Sequence, residues 1–182
     1  MEFETGIGLS RKDIRKIALA FRKLYKIKTI RFPVLYILEK LTFDFDDVFT
    51  YVIEEDCEFD ANVPAYLETN NEYTEFCCHI SKYVYVGALE NRGDCLGFIV
   101  HELSHFILLY MCEIRPNNTF NMELQTKNIP PYKNTEWQAK ALCGELMIPY
   151  DMCKNKTYKQ IKYITKSSKS QIDYFFSKIL KD

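Results

Sequence analysis

The chain of 182 residues lacks several features that mark specialised classes of protein. Its 24 basic and 25 acidic residues give a formal net charge of −1, so the basic excess typical of nucleic-acid-binding proteins is missing. The longest fully apolar run, Phe106 to Cys112, is far too short to span a bilayer. No internal repeat, low-complexity tract or linker-like segment is present. These absences exclude a repeat protein and argue against direct binding to nucleic acid or insertion into a membrane.

Paired cysteine motifs are also absent. The seven cysteines are odd in number, Cys77 and Cys78 are adjacent, and no C-x-x-C pair occurs, so neither a disulfide framework nor a cysteine zinc knuckle is supported. The N-terminus, Met1-Glu2-Phe3-Glu4, starts acidic and lacks the apolar core of a signal peptide. We therefore expect reduced thiols in a cytoplasmic protein.

The remaining composition is that of an ordinary globular chain. Apolar residues make up 47% and charged residues 27% of the sequence. A chain of this length buries roughly 70% of its unfolded surface and needs no disulfide bonds to fold. A single domain over residues 1–182 is the expected organisation.

Hydrophobic periodicity predicts an α+β fold. We expect an amphipathic helix over about residues 10–27, opened by Ser10 and Asp13, and a short helix from Pro33 to Lys40. Periodicity alone leaves Tyr83–Leu89 open between strand and helix. The other expected elements are three short strands, predicted to be antiparallel, at Phe49–Ile53, Val63–Thr69 and Phe76–Ile80; a buried helix at Cys95–Met111; an irregular stretch at Arg115–Thr135; and helices at Glu136–Ile148, Lys156–Thr165 and Lys169–Lys181.

Two of the only three histidines lie four residues apart on the predicted buried helix. His101, Glu102 and His105 form the pattern H-E-x-x-H, which places both imidazoles on one helix face, where they can reach one ion. Glu102 flanks that face and can accept a proton from water at the ion. The alternative is a pair of structural histidines, hydrogen-bonded in a core that is otherwise apolar.

A third ligand must come from a later element, and no histidine follows His105. Glu136 is in line with the apolar face of its predicted helix, whereas Glu145 lies on the opposite side. We therefore favour Glu136 as the ligand. The alternative is an acid in the first turn that complements the helix dipole.

These motifs together resemble the ImmA/IrrE family of small zinc metallopeptidases. The resemblance covers about residues 31–180. It departs from the family pattern at Ser104, where glycine is usual, at Lys140, Leu142 and Cys143, and in the helix entry from Asp94 to Phe98. It is carried by H-E-x-x-H, by Glu136-Trp137-Gln138-Ala139 and Leu146-Met147-Ile148-Pro149, and by the upstream segments Phe32–Glu39 and Val84–Ala88.

The resemblance implies one zinc ion held by His101, His105 and Glu136, with Glu102 as the general base. It implies a zincin-like core at about residues 43–150, between N-terminal helices at about 1–42 and C-terminal helices at about 151–182, and it makes Lys82–Glu90 helical. The implied activity is cleavage of a protein partner, typically a helix-turn-helix repressor of a mobile element or stress response.

Two other functions remain open at this point. One is a regulatory protein of the same fold that binds metal without proteolysis, and the other is a zinc hydrolase acting on a small amide. An intact Glu102 favours a peptidase, because metal binding alone does not need it. A donor for the oxyanion is also expected; His79 and the tyrosines are candidates, with a structural or surface role as the alternative for His79.

Overall fold

The computed structural model describes residues 3–60, 62–116 and 129–180. It confirms the α+β class. The predicted irregular stretch from Arg115 to Thr135 falls largely outside the described residues. The main elements are α1 (Arg11–Leu24), α2 (Val34–Asp44), β1 (Phe49–Glu54), β2 (Ala65–Thr69), β3 (Phe76–Ser81), α3 (Lys82–Leu89), α4 (Gly93–Phe106), α5 (Thr135–Met147), α6 (Tyr150–Cys153), α7 (Tyr158–Thr165) and α8 (Lys169–Tyr174).

Helix α1 begins at the predicted capping residue. The Ser10 hydroxyl accepts the backbone N–H of Asp13, and the Asp13 carboxylate accepts the backbone N–H of Ser10, which forms a capping box. Of the apolar residues at helical spacing, Ile14, Ala18 and Phe21 are buried against the rest of the fold, whereas Leu24 near the end of the helix is exposed. Pro33 is the residue before α2 rather than its first helical position, and α2 extends to Asp44, beyond the predicted end at Lys40.

The three-stranded sheet is mixed, so the prediction of an all-antiparallel sheet is wrong. The strand order is β1-β3-β2. β3 pairs antiparallel with β2 but parallel with β1, with Phe49 opposite Phe76. The chain reverses direction between β1 and β2 and again between β2 and β3, so β1 and β3 run the same way. β3 lies between β1 and β2 in the sheet. Alternation of apolar residues within a strand does not encode its pairing direction, which explains the error.

Helices α3 and α4 pack closely against each other. The Ser81 hydroxyl caps α3 by accepting the Val84 N–H, which settles this segment as a helix. Gly87 permits the close approach, because a Cβ at this position would collide with the Cys95 thiol. α4 is followed without a break by a wider helical turn, Ile107–Met111. Together the two elements match the predicted buried helix.

This continuous helix, Gly93–Met111, is long and apolar enough to cross a membrane by length and composition alone. Its mean hydropathy reaches 1.2, yet 61% of the segment is buried inside the fold. The core helix of a soluble protein has these properties, so the finding is consistent with a soluble protein. All seven cysteines are free, as expected for reduced thiols.

The C-terminal helices belong to the same core. Ser168 caps α8, and α8 continues into Phe175–Ile179, as the predicted break and final helix require. Ile161, Ile172 and Phe175 are fully or almost fully buried. Residues 166–168 pack directly on Gly93, so these helices dock at the start of α4.

Helix α1 packs against the side of α5 that faces away from α4. Glu145, 5% exposed, lies 3.0 Å from the guanidinium of Arg15 and also accepts the Tyr150 backbone N–H. Arg22 donates to the carbonyl oxygen of Leu146 at 2.8 Å. As expected from spacing, Glu145 points away from Glu136, and its carboxylate ties α1 to α5.

Removing this carboxylate tests its structural role. Glu145→Ala leaves Arg15 without its partner, and we expect the free energy of unfolding to fall by roughly 1–3 kcal/mol, since the pair is largely desolvated. Chemical denaturation measures the change, with Glu72→Ala, an exposed carboxylate before β3, as the control. Equal stability of the two variants would contradict the role given to Glu145.

Candidate metal centre

The two histidines of α4 and the glutamate of α5 converge on one point. His101 Nε2 lies 3.3 Å from one carboxylate oxygen of Glu136, and His105 Nε2 lies 3.3 Å from the other. The three ligand atoms all fall within 4.8 Å of one another, and each residue is partly buried. The structure thus brings together the three residues predicted as ligands, and the group could hold a metal ion.

The atoms are close enough together to share one ion. Bonds of about 2.0–2.2 Å place two tetrahedral ligands about 3.3–3.6 Å apart. Each imidazole nitrogen lies 3.3 Å from a different oxygen of the Glu136 carboxylate, so both histidines approach that carboxylate to about this separation. The imidazole rings of His101 and His105 are inclined at 81° with their centres 4.8 Å apart, so their nitrogens approach from different directions. Three protein ligands leave one position of a tetrahedral site open, an arrangement typical of catalytic rather than structural sites.

Local contacts hold Glu136 at this position. Asn134 caps α5 by accepting the Trp137 N–H at 2.9 Å. Thr135 bonds the N-terminal segment twice, accepting the Phe3 N–H on its hydroxyl and donating its own N–H to the Phe3 carbonyl. The buried amide of Gln138 donates to the Tyr132 carbonyl at 2.8 Å. These contacts, to the N-terminal segment and to the residues just before α5, hold the first turn of the helix in place. They thereby position Glu136, which lies in that turn.

The electrostatics of the site depend on charge pairing. Hydrogen bonds from His101 and His105 hold the pKa of the half-buried Glu136 carboxyl far below its usual range. Lys140, one turn further along α5, adds a cation 3.7 Å from the same carboxylate. Glu136 therefore stays ionised, as a metal ligand must.

Glu102 faces the same cleft in a different environment. Its side chain is almost wholly buried, and this desolvation raises the pKa of the carboxyl. The neighbouring His101 and His105 act in the opposite direction and lower the pKa, but burial has the larger effect. The backbone N–H of Leu67, on β2, donates a hydrogen bond to it. A carboxylate whose pKa is raised towards neutrality is suited to exchange protons with a substrate.

A cleft of about 520 Å³ opens beside these residues. One wall is α4 with the first turn of α5, and the other is β2 with residues 62–64 before it. Within the described ranges β2 pairs only with β3, so its second edge borders the cleft. Tyr73, whose pKa is raised chiefly by burial, lies at the far end.

His79 is not part of the site. On the outer face of the sheet, its ring stacks on Tyr66 with centres 4.4 Å apart and bonds Glu54 and Glu68 through its two nitrogens. The structural alternative for His79 is therefore correct. Among the tyrosines proposed as oxyanion donors, Tyr66 and Tyr73 line the cleft, but the ring of Tyr66 is the one that stacks on His79.

Other contacts of the site were missed at the sequence level. Lys140 could have been found, because it follows Glu136 by one helical turn. The contact of the Leu67 N–H with Glu102 could not be predicted from the sequence, because any residue type except proline at this position has the same backbone N–H. Ser104, between the two histidines on α4, is fully buried, and its hydroxyl donates to the Val100 carbonyl at 2.7 Å. The ligand set is therefore left intact.

Comparisons with known proteins yield no match. No family model, no curated protein and no solved structure is significantly similar to this chain.

The convergence of ligands predicts about one divalent metal ion per chain, lost on acidification because the imidazoles must be neutral to bind it. His105→Ala should abolish most of this binding. Elemental analysis after dialysis measures it. His79→Ala, which removes the histidine of the outer sheet face, is the matched control and should keep its metal. Equal metal in the wild type and His105→Ala would remove His105 from the ligand set.

Glu136→Ala tests the third ligand. Two histidines alone hold a divalent ion weakly, so we expect the dissociation constant for metal to rise at least about tenfold and the stabilisation by added metal to shrink. Competition with a metal chelator reports the first effect, and the thermal unfolding midpoint with and without metal reports the second. Glu145→Ala should show the reverse, with lower stability and unchanged metal affinity. A swap of these phenotypes would refute the assignment.

Proposed function

We propose that this chain is a zinc-dependent endopeptidase that hydrolyses a peptide bond in a specific protein partner. The observation that carries the proposal is the placement of Glu102 beside the His101, His105 and Glu136 group, in a cleft bordered by an edge of β2 that pairs with no other described strand. Two imidazoles and one carboxylate are a donor set that suits zinc, and they leave a coordination position open.

The charges of the site favour hydrolysis. With two neutral imidazoles and one carboxylate as ligands, a zinc site carries about one net positive charge. Bound there, zinc would supply a Lewis acid for a peptide carbonyl and lower the pKa of water. Glu102 would accept the proton of the attacking water and pass it to the leaving amine. Its burial supports the first transfer, because a raised pKa makes the carboxylate a stronger base towards the attacking water.

The strand beside the cleft supports a polypeptide substrate over a small amide. An extended chain can add to an exposed strand edge through main-chain hydrogen bonds, which need no particular side chain. β2 spans five residues next to Glu102 and His101, and alternate residues along it direct their backbone groups away from β3. Those groups that Glu102 does not use are available for such pairing. A small amide would use only a fraction of the 520 Å³ cleft.

The resemblance to the ImmA/IrrE family proposes a helix-turn-helix repressor as the partner, with a role in controlling a mobile element or a stress response. The charge distribution supports a basic partner, because DNA-binding proteins carry a basic surface. No lysine or arginine occurs from residue 44 to residue 75, the region that includes the strand at the cleft. This region holds eleven carboxylates: Asp44, Asp46, Asp47, Glu54, Glu55, Asp56, Glu58, Asp60, Glu68, Glu72 and Glu75.

A cytoplasmic location completes the proposal. Free thiols at all seven cysteines suit a reducing compartment, and repressors act there. The experiment is to incubate the zinc-loaded chain with helix-turn-helix proteins encoded beside its gene and to read cleavage by intact mass. Specific fragments support the endopeptidase; binding without fragments would favour the non-proteolytic regulatory protein instead.

Glu102→Gln separates chemistry from structure. Glutamine keeps the shape of the side chain but cannot take up a proton, so we expect retained fold and zinc with cleavage slowed by about 10²–10⁴-fold. Glu90→Gln, at an exposed position after α3, is the control and should cleave normally. Cleavage by Glu102→Gln at the wild-type rate would show that another group is the base.

A further inference from the structure

A second groove opens beside the metal centre, between α4, α5 and the end of the chain. Its volume is about 550 Å³. The groove and the metal cleft share a wall, because Phe98, His101 and Lys140 line both. The apolar side chains on its surface come from all three elements: Phe98, Trp137, Ala141, Ile148, Phe175 and Ile179.

Gly144 leaves open space in this groove. A Cβ at this position would meet no atom within 4 Å, although the residue lies inside α5. Its backbone does not require glycine, since no glycine in the described chain has a positive φ. Glycine inside a helix lowers stability relative to alanine. The missing side chain therefore has a local effect, which is to enlarge the groove.

The polar groups around the groove already have partners. Gln171 accepts the Ser168 N–H at 2.9 Å, and its amide lies 3.7 Å from the Cys143 sulfur. Lys140 pairs with Glu136, and Asp94 pairs with Arg92 at 3.2 Å. A charged side chain entering the groove would therefore lose water without gaining a free partner, whereas an apolar one would not.

We propose that this groove is a specificity pocket for one large apolar side chain, of the leucine, methionine or phenylalanine class, on the polypeptide substrate. The proposal rests on the proposed function and extends it. Because His101 lies between the two spaces, a peptide bond held at the metal places the side chain of a neighbouring residue at the mouth of the groove.

Metal-directed compounds test the pocket without requiring turnover. Acetyl-leucine hydroxamate and acetyl-glycine hydroxamate bind zinc through the same group and differ only in the apolar side chain. Trp137, the only tryptophan, lines the groove, so its fluorescence reports binding to the zinc-loaded full chain. We expect the leucine compound to bind at least about tenfold more tightly than the glycine compound.

Two substitutions at Gly144 provide a matched pair. Alanine and leucine have similar helix propensities, so Gly144→Ala and Gly144→Leu should raise the thermal unfolding midpoint alike, and both should keep zinc. Only leucine fills the groove. In Gly144→Leu we expect the two hydroxamates to bind with about equal affinity, because the new side chain occupies the groove. In Gly144→Ala we expect the acetyl-leucine compound to keep most of its advantage over the acetyl-glycine compound.

Each other result points elsewhere. Equal affinity of the wild type for both compounds overturns the pocket while leaving the metal centre in place. Failure of the chain to bind zinc or either hydroxamate overturns the proposed function, and the pocket with it. A wild-type dimer that Gly144→Leu dissociates, measured by sedimentation, assigns the groove to a second copy of the chain and overturns the proposal as well.

Discussion

The burial of ionisable side chains on an apolar core helix is the constraint on which the other contacts depend. His101, Glu102 and His105 lie on α4, between residues such as Val100 and Leu103 that are fully buried. Desolvating such groups costs several kcal/mol unless partners replace the lost water. α5 supplies a carboxylate to both imidazoles, and β2 supplies a backbone N–H to Glu102. Both elements must therefore be held firmly against α4.

Helix α5 links this requirement to the rest of the chain, because it carries functional groups on opposite sides. Glu136 and Glu145 are nine positions apart, which is half a turn in net rotation, so one faces α4 and the other faces Arg15 on α1. Rotation of α5 that moved Glu136 away from the histidines would also separate Glu145 from the guanidinium. The amphipathic helix at the start of the chain thus fixes the orientation of a ligand more than a hundred residues later.

Much of this could be predicted from the sequence, and the exceptions have a physical cause. The ligand group, α1 and α5 follow from helical spacing, which is a local property that capping residues such as Ser10 reinforce. Pairing direction in the sheet is not local, so the parallel pairing of β1 with β3 was missed. The outer position of His79 was likewise undetermined, because it depends on which face of the sheet α4 covers. Contacts made by backbone groups, such as the Leu67 N–H, cannot be predicted from residue types, because every residue except proline has the same backbone groups.

β2 has an edge at the site that pairs with no other described strand, and such an edge carries a risk of aggregation. An unpaired strand edge invites pairing with other chains, and proteins protect such edges with short strands, proline and outward charge. β2 has all three, since it spans five residues, follows Pro64 and turns Glu68 outward. Its free edge borders the cleft rather than an open surface. A chain that pairs with this edge must therefore lie alongside Glu102 and the histidines. Under the proposed function, this pairing would place a peptide bond at the candidate metal centre.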